Sequence, residues 1–229
     1  LDLTSADNIT ATDNIAMDTL FAEPITFDCD DAGTLVPVTL TAIDIAGNIA
    51  TMTIQVEVLD ATDPVAVAQD ITLELDASGA ASITSDDIDN GSSDNCSIES
   101  MSLDISSFDC DDLGANTVVL TVTDPSGNSH MASATVTVED NIAPTAIAQD
   151  ITIQLDANGM ASISGGDIDN GSTDNCTITS LALDISDFGC ADVGTNAVIL
   201  TVTDQSGNSS TAPATVTVED NIAPTAIAQ

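Results

Sequence analysis

The chain has 229 residues, 38 of them Asp or Glu, with no Lys or Arg and a single His, so its formal net charge is -38. That balance excludes a nucleic-acid partner, because phosphate binding depends on Lys and Arg displacing counterions, and it disfavours anionic membrane surfaces. With no Lys, Arg, Tyr or Trp, and with His130 replaced by Ser210 one repeat later, catalysis has little to work with and no enzyme is expected.

The hydrophobic fraction of 43% is arranged in short β-branched runs, the mark of a folded chain rather than a disordered acidic one. Within residues 70–149, "ITLEL" at 71–75 alternates Ile71, Leu73 and Leu75 against Thr72 and Glu74, the period of a half-buried strand. "DASG" at 76–79 is a turn. "SIESMSLDISSFD" at 97–109 is expected to form a hairpin turning near Leu103 and Asp104. "TVVLTVT" at 117–123 puts Val118, Leu120 and Val122 on one face, "DPSGN" at 124–128 is a second turn, and "ATVTV" at 134–138 is a further strand. No segment carries a helical stripe, and no run is long enough to span a membrane. The expected fold is all-β, an antiparallel β-sandwich with a thin core that holds about one Phe per unit.

The chain is periodic. "ATVTVEDNIAPTAIAQ" at 134–149 returns letter for letter at 214–229, and residues 70–149 match 150–229 at 57 of 80 positions without a gap. Residues 1–69 are a more divergent copy, in which "DIAGN" at 44–48 answers "DPSGN" but nothing before Leu1 answers "DITLELDASGAA" at 70–81. The expected organisation is a partial repeat at 1–63, complete repeats at 64–143 and 144–223, and the start of another at 224–229. Such a chain is a window on a longer array, or one whose ends are completed by neighbouring subunits.

The five cysteines are Cys29, Cys96, Cys110, Cys176 and Cys190. Each complete repeat carries two at a spacing of 14, whereas the first has Ile15 where the first cysteine should be. Pairing within a repeat, Cys96 with Cys110 and Cys176 with Cys190, is the economical scheme; it leaves Cys29 alone and requires an oxidising compartment. Two cysteines without nearby His do not complete a zinc site.

The order "SSDNCS" (92–97), "FDCDDLG" (108–114), "VTDPSGNS" (122–129) and "VTVEDNIAP" (136–144) resembles the HYR-type repeat, an immunoglobulin-like module strung in long arrays in secreted and surface proteins of bacteria. The resemblance covers all three units. It departs at Ile15 and in the first linker, which reads "LDATDP" in place of "EDNIAP". It implies tandem immunoglobulin-like sandwiches arranged as an elongated extracellular rod, serving in adhesion or as a spacer.

In such a sandwich the last strand exits beside the loops that open the next domain, and Asp outnumbers Glu 32 to 6, a bias that suits turns and cation-binding loops. Calcium, which takes six to eight oxygens, is therefore expected at each junction. At one junction the candidates are Asp60, Asp63, Asp87, Asp89, Asp94 and Asp124. At the next they are Asp140, Asn141, Asp167, Asp169, Asp174 and Asp204, with Asp220 repeating the position of Asp140. The competing structural reading is that these side chains only cap turns. Together these features point to a structural module of a calcium-stiffened extracellular fibre, stalk or filament used in surface attachment. Its partners would be neighbouring repeats and, in a homo-oligomeric filament, other copies of the chain. A glycan-binding adhesin array is the alternative, though near-identical units favour a spacer.

Overall fold

A computed structural model describes residues 11–227. The chain is all-β and divides into two compact units. One is drawn from Leu1–Ala68, Asp89–Ser102 and Leu120–Ala132, and the other from Gln69–Ile88, Leu103–Val119 and Ser133–Gln229.

In the first unit, β1 (Met17–Glu23), β2 (Leu35–Asp44) and β3 (Ile49–Glu57) form one antiparallel sheet in the order β1-β2-β3. The β2–β3 connection is the "DIAGN" turn. Asp44 accepts the backbone N–H groups of Ala46 and Asn48 at 2.8 and 2.9 Å, and Gly47 supplies the left-handed residue at φ +87° that closes so tight a turn. Ala22 and Val38 are buried with Phe27, Leu40, Ile54 and Val56 around them. The rest of that face is thinly covered: Met52, two residues before Ile54 on β3, is 64% exposed, whereas its counterpart in the third repeat, Ala212, is 8% exposed.

The next repeat contributes β4 (Ile71–Glu74), β5 (Ala80–Ser82), the single-turn helix α1 (Ser85–Ile88), β6 (Ser100–Leu103), β7 (Ser107–Asp109), β8 (Gly114–Thr123) and β9 (Ser129–Glu139). The third repeats this order as β10 (Ile151–Gln154), β11 (Met160–Ser162), α2 (Gly165–Ile168), β12 (Ile178–Leu183), β13 (Asp187–Gly189), β14 (Gly194–Asp204) and β15 (Ser209–Glu219). The expected strands at 71–75, 117–123 and 134–138 fall in β4, β8 and β9.

In the third repeat one sheet runs β10-β15-β14-β12 and the other is the pair β11-β13. β10 lies parallel to β15, with Ile151 opposite Val216, and the remaining pairings are antiparallel. A first strand laid parallel on the last, with the fifth and third strands beside it and the second and fourth in the facing sheet, is the topology of an immunoglobulin-like sandwich. Between the sheets lie Leu155, Ile168, Phe188, Val198, Leu200, Val202, Val216 and Val218, all at most 4% exposed. The period-2 alternation accounts for this: Val198, Leu200 and Val202 face in, while Thr201 and Thr203 between and beside them do not.

The expected hairpin at 97–109 does not form. Its counterpart in the third repeat shows why: β12 pairs with β14 and β13 pairs with β11, so the chain crosses from one sheet to the other between Leu183 and Asp187 instead of turning back. β6 and β7 are separated in the same way, β6 lying beside β8 and β7 pairing with β5.

Leu200→Ala should therefore cost about 2–5 kcal/mol in chemical denaturation. Leu40→Ala, at the corresponding but partly uncovered site of the first repeat, should cost clearly less; equal losses would contradict the difference in burial.

Candidate metal centre

Two groups of three carboxylates stand out among the described residues. Asp60, Asp94 and Asp124 bring ligand oxygens within 4.8 Å of one another, and Asp140, Asp174 and Asp204 do the same one repeat later. Each triad takes one Asp from the segment after a last strand, one from a "DNC" loop and one from a "DxSGN" turn.

The turn Asp is fixed by its own loop. Asp204 accepts the Asn208 backbone N–H at 2.8 Å and its side-chain amide at 2.9 Å, and Asp124 accepts the same two groups of Asn128, both at 2.8 Å. Burial pushes the Asp124 carboxyl up, but the Asn128 hydrogen bonds and those from Gly127 and Ser126 outweigh it, so its pKa lies below the ordinary 3.8. The same Asn reaches outward. The Asn208 amide donates to the backbone carbonyl of Asp140 at 2.9 Å, and the Asn128 amide to that of Asp60 at 3.0 Å.

The "DNC" loop contributes a second clamp. Asp174 caps the Cys176 N–H at 3.0 Å with one oxygen, and the Asn175 amide donates to Asp140 Oδ1 at 3.1 Å. In the other triad Asp94 caps the N–H groups of Cys96 and Ser97 at 2.8 and 3.1 Å. After these bonds are made, four buried oxygens still lack a donor: Asp94 Oδ1, Asp140 Oδ2, Asp174 Oδ1 and Asn175 Oδ1. Asp140 is only 3% exposed. Buried acceptors left unpartnered are costly unless something supplies positive charge.

The other sequence candidates lie apart from the triads. Asp87 and Asp167 accept the N–H and hydroxyl of Thr84 and Ser164, and Asp89 and Asp169 hold the loops through Ser92 and Ser172. The Ser92 and Ser172 hydrogen bonds keep the Asp89 and Asp169 carboxyls below their ordinary value. These four are turn caps. Asp63 is exposed, the Asn141 amide donates to Glu74 at 3.3 Å, and Asp220 is exposed and caps Ile222. Sequence reasoning did not single out Asn95, Asn128, Asn175 and Asn208 as the groups that clamp the linker Asp, although each lies in a motif it recognised.

The cysteine pairing differs from expectation. The bonds are Cys29–Cys96 and Cys110–Cys176, each joining the second cysteine of one repeat to the first of the next, while Cys190 is a free, exposed thiol. Cys176–Cys190 is prevented by the crossing between sheets. Cys176 precedes β12, whose first residue pairs with Asp204 at the end of β14, whereas Cys190 follows β13 and lies just before Gly194, where β14 starts. Those ends of an 11-residue strand are about 33 Å apart, far beyond the 4.4–6.8 Å between Cα atoms that a disulfide spans. Cys96–Cys110 is replaced because each of the two sulfurs is bonded to another repeat. The available signal was Cys29, which has no partner in its own repeat and therefore pairs forward.

Among solved structures the chain is similar to Protocadherin Gamma C5 EC1-3, at 16% identity and a TM-score of 0.37, covering 83% of this chain and 79% of that one. It is also similar to mouse clustered PcdhgC3 EC1-3 (14%, TM-score 0.34, covering 84% and 79%). A third is Protocadherin Gamma B7 extracellular cadherin domains 1-4 (14%, TM-score 0.33), where the match covers 82% of this chain but only 58% of the other. No family model and no curated protein matches the chain.

Peptide mapping without reduction should recover Cys29 linked to Cys96 and Cys110 to Cys176. Replacing Cys110 and Cys176 by Ser should cost about 4 kcal/mol, since the bond closes a loop of 66 residues. In calcium-free buffer, Asp167→Asn should be less stable than the parent at neutral pH, since it weakens the acceptor of the Ser164 N–H and hydroxyl. Because those bonds depress the folded pKa of Asp167, its contribution is complete above 3.8 and fades as pH falls through the folded value, so the two melting curves should converge in acid.

Proposed function

We propose that the chain is a structural segment of a long extracellular fibre, stalk or filament, built from immunoglobulin-like repeats of about 80 residues and stiffened by calcium where one repeat follows another. The observation that carries this reading is the orphaned, buried Oδ2 of Asp140 beside Asp174 and Asp204, in a chain with no Lys or Arg to balance it. The donor set fits calcium: three carboxylates, an amide oxygen at Asn175 and nearby backbone carbonyls are all hard oxygen ligands. Asp140, Asp174 and Asp204 would hold one ion, and Asp60, Asp94 and Asp124 another. Bound there, calcium would supply the positive charge that the chain's own side chains lack.

Domain limits near 63, 143 and 223 follow from the repeat, with each triad drawing on residues to either side. The cystines between repeats suit an oxidising, extracellular setting. The likeness of the "DNC", "DxSGN" and "EDNIAP" motifs to HYR-type repeats supports a role in surface attachment. The role is structural and not catalytic.

Thermal melting and solution scattering, each in calcium and in EGTA, test this. At about 100 times its dissociation constant each ion should add about 2.7 kcal/mol. The paired variant Asp140→Asn, Asp204→Asn should lose one ion's share of that gain. An unchanged midpoint together with an unchanged radius of gyration would refute the role given to calcium.

A further inference from the structure

Both cystines obey one rule, and the rule reaches a residue that is still free. Cys29 joins Cys96 and Cys110 joins Cys176, in each case the cysteine after the fourth strand position of one repeat with the "DNC" cysteine of the next. Cys190 stands 80 residues after Cys110, is chemically equivalent to it, and has an exposed thiol.

The third repeat also has the cradle that its predecessor uses. At Gly79 (φ +74°) a Cβ would come within 2.6 Å of the Asn175 carbonyl oxygen and 2.8 Å of the Cys110 sulfur, so glycine there makes room for the incoming Asn-Cys backbone. The same glycine recurs at Gly159 (φ +75°), where a Cβ would collide with the Cys190 sulfur at 2.5 Å. Asn175 also donates to Asp140, which it helps to bury, whereas the equivalent Asp220 is exposed. Gly159, Cys190 and Asp220 thus present uncovered the face that Gly79, Cys110 and Asp140 present to Asn175 and Cys176.

We propose that this face is a covalent docking site for a further repeat carrying the Ser/Thr-Asp-Asn-Cys motif. The incoming cysteine and Cys190 form a disulfide by exchange with a small oxidised disulfide of the glutathione class. Two S–H bonds and the small S–S bond break, one protein S–S bond forms, and both protons leave on the two small thiols. The first repeat of this chain cannot be that partner, because its motif reads Thr12-Asp13-Asn14-Ile15. The proposal rests on the joined-repeat reading above but not on the ion.

Ile15→Cys restores the motif and tests the idea in the full chain. In a glutathione redox buffer this variant should give a ladder of head-to-tail oligomers. Among cross-linked peptides, the introduced thiol joined to Cys190 should exceed either symmetric link, introduced thiol to introduced thiol or Cys190 to Cys190, by at least about tenfold, the enrichment that docking before bond formation produces. Adding Cys190→Ser should abolish the ladder. A folded Ile15→Cys protein whose links follow random statistics, in calcium and in EGTA alike, overturns the proposal, while leaving the calcium-dependent melting of the parent untouched. A second arm uses the unmodified chain and a Ser172–Ser180 peptide carrying a glutathionyl disulfide on its cysteine. Exchange at Cys190 should be at least about tenfold faster than with oxidised glutathione, and equal rates overturn the proposal.

Discussion

Three carboxylates held within 4.8 Å set the terms for the rest of the structure. At about 4 Å each pair repels by roughly 4 kcal/mol at an effective dielectric of 20, and no Lys or Arg exists anywhere in the chain to relieve it. Amide donors absorb part of this cost. Asn208 and Asn175 each place a side-chain N–H on the segment bearing Asp140, and Asn128 and Asn95 do so for Asp60. What they leave over, the bare oxygens of Asp140 and Asp174, defines where positive charge must come from.

The "DNC" loop concentrates three jobs in three consecutive residues. Asp174 caps the turn with one oxygen and offers the other to the triad, Asn175 clamps the preceding Asp140, and Cys176 bonds covalently to Cys110. Each job needs the other two. The cystine holds Asn175 over Gly79, where only a residue without Cβ fits, and that placement brings the Asn175 amide to Asp140. Loss of any one would leave a buried polar group without its partner, which is the expensive outcome in a protein interior.

The strands were legible because their signal is local: Ile71 and Leu73, or Val118, Leu120 and Val122, alternate whatever the remainder of the chain does. The "DxSGN" turn was legible for the same reason, since Asp124 and Asn128 bond within it and Gly127 adopts φ +90°. Cystine pairing was not local. A spacing of 14 with a polar middle looks like a hairpin, and only the assignment of β12 to one sheet and β13 to the other shows that the chain passes straight on. The acidic candidates divided along the same line. Asp87 and Asp89 spend their oxygens on their own loops, while Asp94 and Asp124 keep part of theirs for a partner distant in sequence, and composition cannot separate the two uses.

The forward cystines also redefine the shortest covalent route along the chain. From Cys29 it steps directly to Cys96, follows the backbone to Cys110, steps to Cys176 and follows the backbone to Cys190. A pulling force is thus carried through the middle repeat by the 14 residue steps from 96 to 110, while beyond Cys176 it follows the backbone, because Cys190 is free. Fully drawn out, that path lengthens to only about 50 Å, against roughly 270 Å for an 80-residue repeat without the bond, at ~3.4 Å per residue. Most of that repeat could unravel under load without the tether paying out further, so its covalent reach is fixed by the two cystines whatever happens to its folded core.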